Sequence, residues 1–122
     1  MTGSTRGAPR VSVDIDGALK GGVRHAVKVV DLSMTGCLVR SQSRHPTGAI
    51  LDLDVALNAA NALHTKVQVV DAALDGATME TGGQAYLTGL RFLALTPPDT
   101  VALLRFLDQE DRRRRRAHSP AP

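Results

Sequence analysis

The sequence predicts a mainly β fold, a six-stranded antiparallel β-barrel followed by one C-terminal α-helix. Six segments alternate apolar and polar residues, which is the pattern of strands buried on one face. Turns rather than helices join these segments, which favours an antiparallel barrel or closed sandwich. After the sixth segment the apolar residues recur at helical spacing. The predicted strands span residues 11–16, 23–33, 36–41, 49–57, 63–74 and 85–95.

The connections between the predicted strands are rich in residues that favour turns. GALKGG at residues 17–22 contains three glycines, and QSRHPTG at 42–48 contains both Pro and Gly. NAANA at 58–62 is a short connection with enough Ala for a helical turn. DGATMETGG at 75–83 is predicted to be a hairpin connection.

The C-terminal helix is predicted to begin near Asp99, with Thr96 or Asp99 as its N-cap and two prolines at its start. The apolar residues at helical spacing are Val101, Leu104 and Leu107, with Leu103 and Phe106 beside them. We expect the helix to pack over one opening of the barrel or against its outer face. It should fray in the arginines that follow.

The composition fits one soluble domain. Of the 122 residues, 43% are hydrophobic but only 2% are aromatic, so the core is aliphatic. Scarce aromatic residues argue against single-stranded nucleic-acid binding, which usually stacks bases on such rings. The net charge of +3 is smaller than that of the run Arg112–Arg116 alone, so a general basic face for DNA is not indicated. No segment has the length and hydropathy of a membrane span, and a cytoplasmic location is predicted.

Three regions are predicted along the chain. Residues 1–8 form a flexible N-terminal arm, residues 9–110 form the barrel with its helix, and residues 111–122 form a basic disordered tail. The run Arg112–Arg116 has two interpretations. Its cations can stabilise a frayed helix end through the helix dipole, or the tail can bind an anionic partner such as nucleic acid or acidic lipid. We favour the first.

No residue pattern indicates catalysis or metal binding, so we predict that the chain is not an enzyme and holds no metal or cofactor. Its four histidines have no ligand spacing relative to each other or to Cys37. The sequence Asp14-x-Asp16-Gly17 has the start of a calcium loop, but His25 stands where the closing glutamate would be. Cys37 lies in an apolar strand and is interpreted as a small core residue.

The stretch TRGAPR at residues 5–10 places two arginines, Arg6 and Arg10, four residues apart. No acidic residue is close enough in sequence to neutralise them. An arginine without a salt-bridge partner would be available to an anion, and Pro9 stiffens the approach to Arg10. The stretch is therefore a candidate for one half of an anion-binding site.

The stretch VVDLSMTGCLV at residues 29–39 holds a polar turn between two apolar runs. The turn includes Asp31, Ser33 and Gly36. Taken alone it fits an ordinary loop, because Asp and Ser bond to the local backbone and Gly supplies a positive φ.

Together, the two stretches resemble the two-part signature of the PilZ domain, R-x-x-x-R followed by D/N-x-S-x-x-G. Further along, Gly48-Ala49 resembles the family's glycine before a strand, LTGLRFLAL its late G-x-x-F strand, and PPDTVALLRFL its closing helix. The resemblance covers residues 5 to 108 of the chain. It implies a PilZ-like barrel of the split-barrel type, in a bacterial protein that binds the second messenger cyclic diguanylate (c-di-GMP).

The resemblance implies a c-di-GMP site formed by Arg6, Arg10, Asp31, Ser33 and Gly36. The ligand is a cyclic dianion with two guanines, and the arginine fork suits both phosphate oxygens and guanine O6 and N7. A carboxylate can accept from guanine N1–H and the N2 amino group, a donor pair that adenine lacks. The serine hydroxyl can bond to a base edge or a phosphate, and the glycine backbone can come close to the ligand.

By this resemblance the chain is a receptor or adaptor that passes the signal to an unidentified protein partner when the ligand orders its N-terminal arm. The alternative is a degenerate PilZ module that binds a protein without nucleotide. Thr5 stands where many relatives carry an arginine or bulky residue that influences whether one or two ligands bind, so the stoichiometry stays open. Arg91 would add a cation beside the site, although strand alternation favours a solvated arginine there.

Overall fold

The computed structural model describes residues 10–59, 61–78 and 84–118, and these fold as six strands and one helix. The strands are β1 (Val11–Lys20), β2 (Arg24–Leu32), β3 (Gly36–Ser41), β4 (Ile50–Ala56), β5 (Ala62–Thr78) and β6 (Gln84–Phe92), and the helix is α1 (Pro97–His118). All strand pairs are antiparallel, and the order β1-β2-β3-β6-β5-β4 closes into a barrel. The predicted six-stranded antiparallel barrel with a C-terminal helix is confirmed.

The barrel interior is filled by branched aliphatic side chains from alternate strand positions. Such side chains favour strands because they pack well on a pleated surface. The interior positions with almost no exposure are Leu19, Val29, Leu32, Val39, Leu53, Val55, Leu63, Val67 and Val69. With Cys37 also buried, its interpretation as a core residue is confirmed.

β1 is longer than predicted, because it continues through the segment 17–20 that the glycines marked as a loop. Gly17 lies inside the strand, where a Cβ would come 2.8 Å from the backbone oxygen of Asp54 on β4. Its glycine therefore allows two strands to approach closely and does not mark a turn. The turn is made by the last glycines of the segment, and Gly22 has a φ of 122°.

The other strand boundaries differ mainly at β5 and β6. β5 extends to Thr78, so residues 75–78 are strand and not the start of a loop. β6 ends at Phe92, which leaves residues 93–96 as the connection to the helix. The remainder of the predicted hairpin connection, 79–83, lies outside the described residues.

α1 begins at Pro97, and Thr96 is its N-cap. The Thr96 Oγ1 accepts a hydrogen bond from the backbone N–H of Asp99 at 3.2 Å. Leu103 and Phe106 are buried against the core cluster, whereas Val101 and Leu104 are about half exposed. Of the predicted apolar stripe, only Leu107 packs against the core, and it is half-buried. The prediction was wrong for Val101 and Leu104, because Leu103 and Phe106, taken as flanking residues, are the buried ones. Within the described ranges no helix has the length and hydropathy to cross a membrane.

α1 also continues past residue 110 and through the arginine run to His118, so residues 111–118 are helical and not a disordered tail. Arginine is a good helix former. Arg112 pairs with Asp108 and Arg113 with Glu110, both at 3.3 Å and at helical spacing. The predicted arm, residues 1–8, and residues 119–122 lie outside the described part of the chain.

Candidate functional site

The pairing of β1 with β2 brings the two halves of the signature together. Val11 lies opposite Leu32 and Ser12 lies opposite Asp31, so the start of β1 is beside the end of β2. Arg10 Nη1 donates to Asp31 Oδ2 at 3.2 Å, with the arginine side chain 64% exposed and the aspartate 22%. The expectation that Arg10 has no carboxylate partner was therefore wrong, because the partner comes from across the sheet. The first motif arginine, Arg6, lies outside the described residues.

Two irregularities in strand register lie next to this ion pair. The pairing of β1 with β2 shifts between Ser12 and Ile15, and the pairing of β2 with β3 shifts between Val29 and Asp31. Bulges of this kind redirect a side chain relative to the regular alternation of the strand. Here the two shifts set the direction of the Asp31 side chain, which lies beside the start of β1.

Ser33 organises the turn between β2 and β3. Its Oγ accepts from the backbone N–H of Thr35 at 3.2 Å and of Gly36 at 3.3 Å, and it lies 3.1 Å from the Thr35 hydroxyl. The Ser33 backbone N–H also donates to the Gly36 carbonyl at 2.9 Å. With 4% exposure, Ser33 fixes the positions of its neighbours through the turn, in the manner of a serine that bonds to the local backbone.

Gly36 opens β3 directly opposite Arg91 of β6. A Cβ on Gly36 would come 2.0 Å from the Leu90 carbonyl oxygen and 3.2 Å from the Arg91 Cα. Its φ is not positive, so the expected reason for this glycine was wrong. The position needs glycine because the backbones of β3 and β6 are in close contact.

Arg91 is exposed on the outer face of β6, while its neighbour Leu90 is buried, as strand alternation predicts. It is more than a solvated arginine, since its Nη2 donates to Gln68 Oε1 on β5 at 2.6 Å. Gln68 is directly opposite Arg91 in the ladder. Arg91 therefore lies next to the turn glycine with its guanidinium in a defined position.

A contact that was not expected from the sequence joins α1 to this region. Arg114 Nη2 donates to the backbone carbonyl of Ser12 at 2.5 Å, across 102 residues of sequence. Ser12 is the β1 residue opposite Asp31. The arginine-rich end of α1 thus lies beside the start of β1, and a groove lined by Ser12, Asp14, Phe106 and Arg112–Arg114 runs between helix and barrel.

Burial shifts the pKa of two side chains in or just after β3, Cys37 and His45. Burial raises the pKa of the Cys37 thiol to about 12, and the charge of Asp31 adds to the rise. The thiol is therefore protonated at neutral pH and is a poor nucleophile.

The second such group, His45, lies beyond the other end of β3. Burial lowers the pKa of His45, and the neighbouring His25 ring, 5.3 Å away, lowers it further. Among the residues that the structure describes, no cluster of three or more His, Cys, Asp or Glu could hold a metal ion.

Comparison with known sequences gives one family. The sequence model of the PilZ domain matches residues 4–109, which is most of the chain. A comparison with curated proteins gave no significant match.

Several solved structures share the fold. The PilZ domain of YcgR from Escherichia coli, solved with c-di-GMP, has a TM-score of 0.76 at 16% identity and covers 95% of this chain and 98% of that domain. The Bacillus subtilis inhibitor of motility MotI/DgrA has a TM-score of 0.74 at 16% identity, over 90% of this chain and 53% of that chain. The K. pneumonia MrkH complex with c-di-GMP has a TM-score of 0.72 at 15% identity, over 92% and 55%. This chain thus spans about half the length of MotI/DgrA and MrkH.

Proposed function

The chain belongs to the PilZ domain family, and on that premise we propose that it is a c-di-GMP receptor that passes the signal to a protein partner. The observation that carries the proposal is the 3.2 Å contact between Arg10 and Asp31, which joins the two halves of the family signature at one point of the barrel surface. The similar structures of the YcgR domain and MrkH contain c-di-GMP, which supports the same ligand class here.

The contact between Arg10 and Asp31 suggests how the ligand is received. Before binding, the two side chains neutralise each other, and an exposed pair of this kind contributes only about 0–1 kcal/mol. A guanine offers N1–H and N2–H donors that replace Arg10 on the Asp31 carboxylate. The guanidinium is then free to turn its fork to a phosphate or to guanine O6 and N7. The exchange has a small free-energy cost, and after it both the Asp31 carboxylate and the Arg10 guanidinium are bonded to groups of the ligand.

Ser33 and Gly36 act on the ligand mainly through backbone geometry in this proposal. The Ser33 hydroxyl already bonds to two backbone N–H groups of the turn, so its first role is to hold the loop that presents Asp31. Gly36 keeps the surface beside Asp31 low, since it carries no side chain. The Ser33 hydroxyl also donates to the Gly36 carbonyl at 3.3 Å, so a direct bond from Ser33 to the ligand would replace one of the bonds within the turn.

The partner signal is assigned to residues 1–8, which carry Arg6. We infer that Arg6 closes on the ligand from the side opposite the barrel, and that a segment ordered in this way lowers the net affinity but creates a new surface. The activity is binding and not catalysis, and we place the protein in the bacterial cytoplasm, where a soluble second messenger would reach it.

Isothermal titration with c-di-GMP tests the proposal. Wild type should bind, and Arg10→Ala should lose about tenfold or more in affinity, the scale of one bidentate contact. Arg24→Ala is the matched control, because Arg24 is 63% exposed and pairs with Asp54 at 3.1 Å, but lies at the opposite end of β2. An absence of binding by wild type, or equal binding by wild type and Arg10→Ala, would contradict the proposal.

A pull-down separates the receptor from the nucleotide-independent module. Recovery of a partner only when c-di-GMP is present supports the receptor. Recovery of the same partner with and without nucleotide, and with Arg10→Ala, supports the module instead.

A further inference from the structure

On the outer face of the barrel, one strand separates the motif aspartate from Arg91. Asp31 is on β2 and Arg91 is on β6, and β3 pairs with both strands. Asp31 is in register with Leu38 and Arg91 with Gly36, two residues further along β3, so the two residues lie diagonally across β3. With strands about 4.8 Å apart and a rise of about 3.3 Å per residue, their backbones are about 12 Å apart. A planar ring over β3 would therefore have Asp31 at one edge and Arg91 at the other.

The surface over β3 is low enough to receive such a ring. Gly36 lies opposite Arg91 and Leu38 lies opposite Gly89, so two of these four outward positions carry no side chain. Leu38 is half-buried and supplies an apolar contact for the face of a base. We call this surface, formed by Gly36, Leu38, Gly89 and Arg91, the β3 floor. The Asp71 carboxylate borders this floor on the β5 side, 2.7 Å from where a Cβ on Gly89 would be.

Charge decides which part of a nucleotide fits this floor. The carboxylates of Asp31 and Asp71 flank it, and both would repel a phosphate at close range. A guanine carries N–H donors and no net charge, so it is accepted where a phosphate is not. This charge distribution favours a base over a phosphate as the group that meets Arg91 over this floor.

Arg91 is held ready for such a contact. Gln68 Oε1 accepts from Arg91 at 2.6 Å, and the Gln68 amide nitrogen donates to the Gly48 carbonyl at 3.4 Å, which fixes the orientation of the amide. The partner of Arg91 is neutral, whereas Arg10, Arg24 and Arg40 each contact a carboxylate. The charge of Arg91 is thus not neutralised by its Gln68 partner, and most of its five N–H donors remain available to a ligand.

We propose that Arg91 is a further ligand-binding residue, which reads O6 and N7 of the guanine whose N1–H and N2 edge meets Asp31, and that Gln68 is its positioning residue. This inference rests on the proposed function and deepens it, since it adds a third side of the site that the two-part signature does not contain. The arginine fork matches the O6 and N7 pair of guanine and not the N6 and N7 pair of adenine, where one group is a donor. Specificity for guanine then comes from two edges of one base.

Titration with c-di-GMP and with its 7-deazaguanine analogue, which lacks the N7 acceptor, tests the inference. Arg91→Ala and Arg91→Lys should each bind c-di-GMP about tenfold to hundredfold more weakly than wild type, since both lose the fork. The loss of affinity from c-di-GMP to the deaza analogue should be at least about fivefold larger for wild type than for Arg91→Ala. The reason is that the variant has already lost the partner of N7, so the two changes are not additive. Gln68→Ala should lower affinity less, and reduce the cost of the deaza change as well. Arg24→Ala is the control, with wild-type values throughout.

The outcomes separate this inference from the proposed function. If wild type binds and Arg91→Ala binds equally well, the inference is wrong and the receptor stands. If Arg91→Ala is weaker but the deaza change costs it as much as wild type, Arg91 contacts a phosphate, and the assignment to the base is wrong. If wild type does not bind c-di-GMP at all, the proposed function fails and the inference fails with it. Arg91 is exposed, so thermal unfolding of its variants should match wild type.

Discussion

Gly36 and Arg91 face each other where β3 meets β6, and their backbones are so close that a Cβ on Gly36 would lie 3.2 Å from the Arg91 Cα and 2.0 Å from the Leu90 oxygen. The glycine of the family signature thus holds two strands together at the point where the proposed ligand site is built. A larger side chain at position 36 would therefore disrupt the pairing of β3 with β6, whether or not ligand is bound.

Gly36→Ala should therefore destabilise the protein by about 3 kcal/mol or more, since the strand must shift to accept the methyl group. Gly48→Ala is the contrast, because Gly48 has open space around it and a φ of 92°. That change should cost only the strain of the left-handed region, about 1–2 kcal/mol. Urea unfolding of both variants measures the difference. Equal losses would mean that β3 and β6 can separate without cost at this position.

Ser33→Ala should lower both stability and ligand affinity. It leaves the N–H groups of Thr35 and Gly36 without their acceptor in a partly buried turn, which costs about 1 kcal/mol or more. Ser33→Thr keeps the hydroxyl and should retain most of both properties. Urea unfolding and c-di-GMP titration of the two variants provide the test. If Ser33→Ala loses affinity but no stability, the hydroxyl acts on the ligand directly and not through the turn.

Deletion of residues 112–122 should change c-di-GMP affinity by less than about threefold. The described cations Arg112, Arg113 and Arg114 contact Asp108, Glu110 and the Ser12 carbonyl, and exposed pairs of this kind are weak. The deletion should also lower thermal stability slightly, since the last helical turns and the bond to β1 are lost. Titration and thermal unfolding measure both effects. A tenfold loss of affinity would instead mean that Arg114 helps to shape the site through Ser12.

Local alternation was enough to predict the strands, and β3 has the bounds that its sequence predicted, residues 36–41. Local rules were insufficient where one residue type serves two purposes. In the sequence, Gly17 cannot be distinguished from a glycine in a turn. Its position inside β1 is explained only by the close approach of β4 in the folded structure. Similarly, α1 has two candidate apolar stripes, and the position of the barrel decides that Leu103 and Phe106 are buried.

The contacts of the candidate site residues, unlike the strands, could not be predicted from the sequence. The bonds of Arg10 to Asp31, Arg91 to Gln68, and Arg114 to Ser12 join residues that are 21, 23 and 102 positions apart. Each depends on strand register or on helix placement, and two register shifts lie beside Asp31. A sequence pattern does not encode those shifts in a form that spacing can reveal, so none of the three contacts is predictable from spacing alone.

Cys37 should react slowly with thiol reagents in the folded protein. Burial and the Asp31 charge raise its pKa to about 12, so its thiolate fraction at pH 8 is about a thousandfold below that of an ordinary cysteine. Labelling with an alkylating reagent, followed by mass spectrometry, measures the rate, and the same protein in urea is the control. Fast labelling under native conditions would show that β3 opens readily at this end of the barrel.

His45 should make stability depend on pH around and below its ordinary pKa of about 6.5. Its folded-state pKa is lowered by burial and by His25, and its Nε2 has no hydrogen-bond partner among the described residues. The unfolded chain then binds a proton near pH 6.5 that the folded chain resists, so the free energy of unfolding falls as the pH falls through that range. Urea unfolding at several pH values should show this slope in wild type, a smaller slope in His25→Gln, and the smallest in His45→Gln. An equal slope in His45→Gln and wild type would assign the pH dependence to another group.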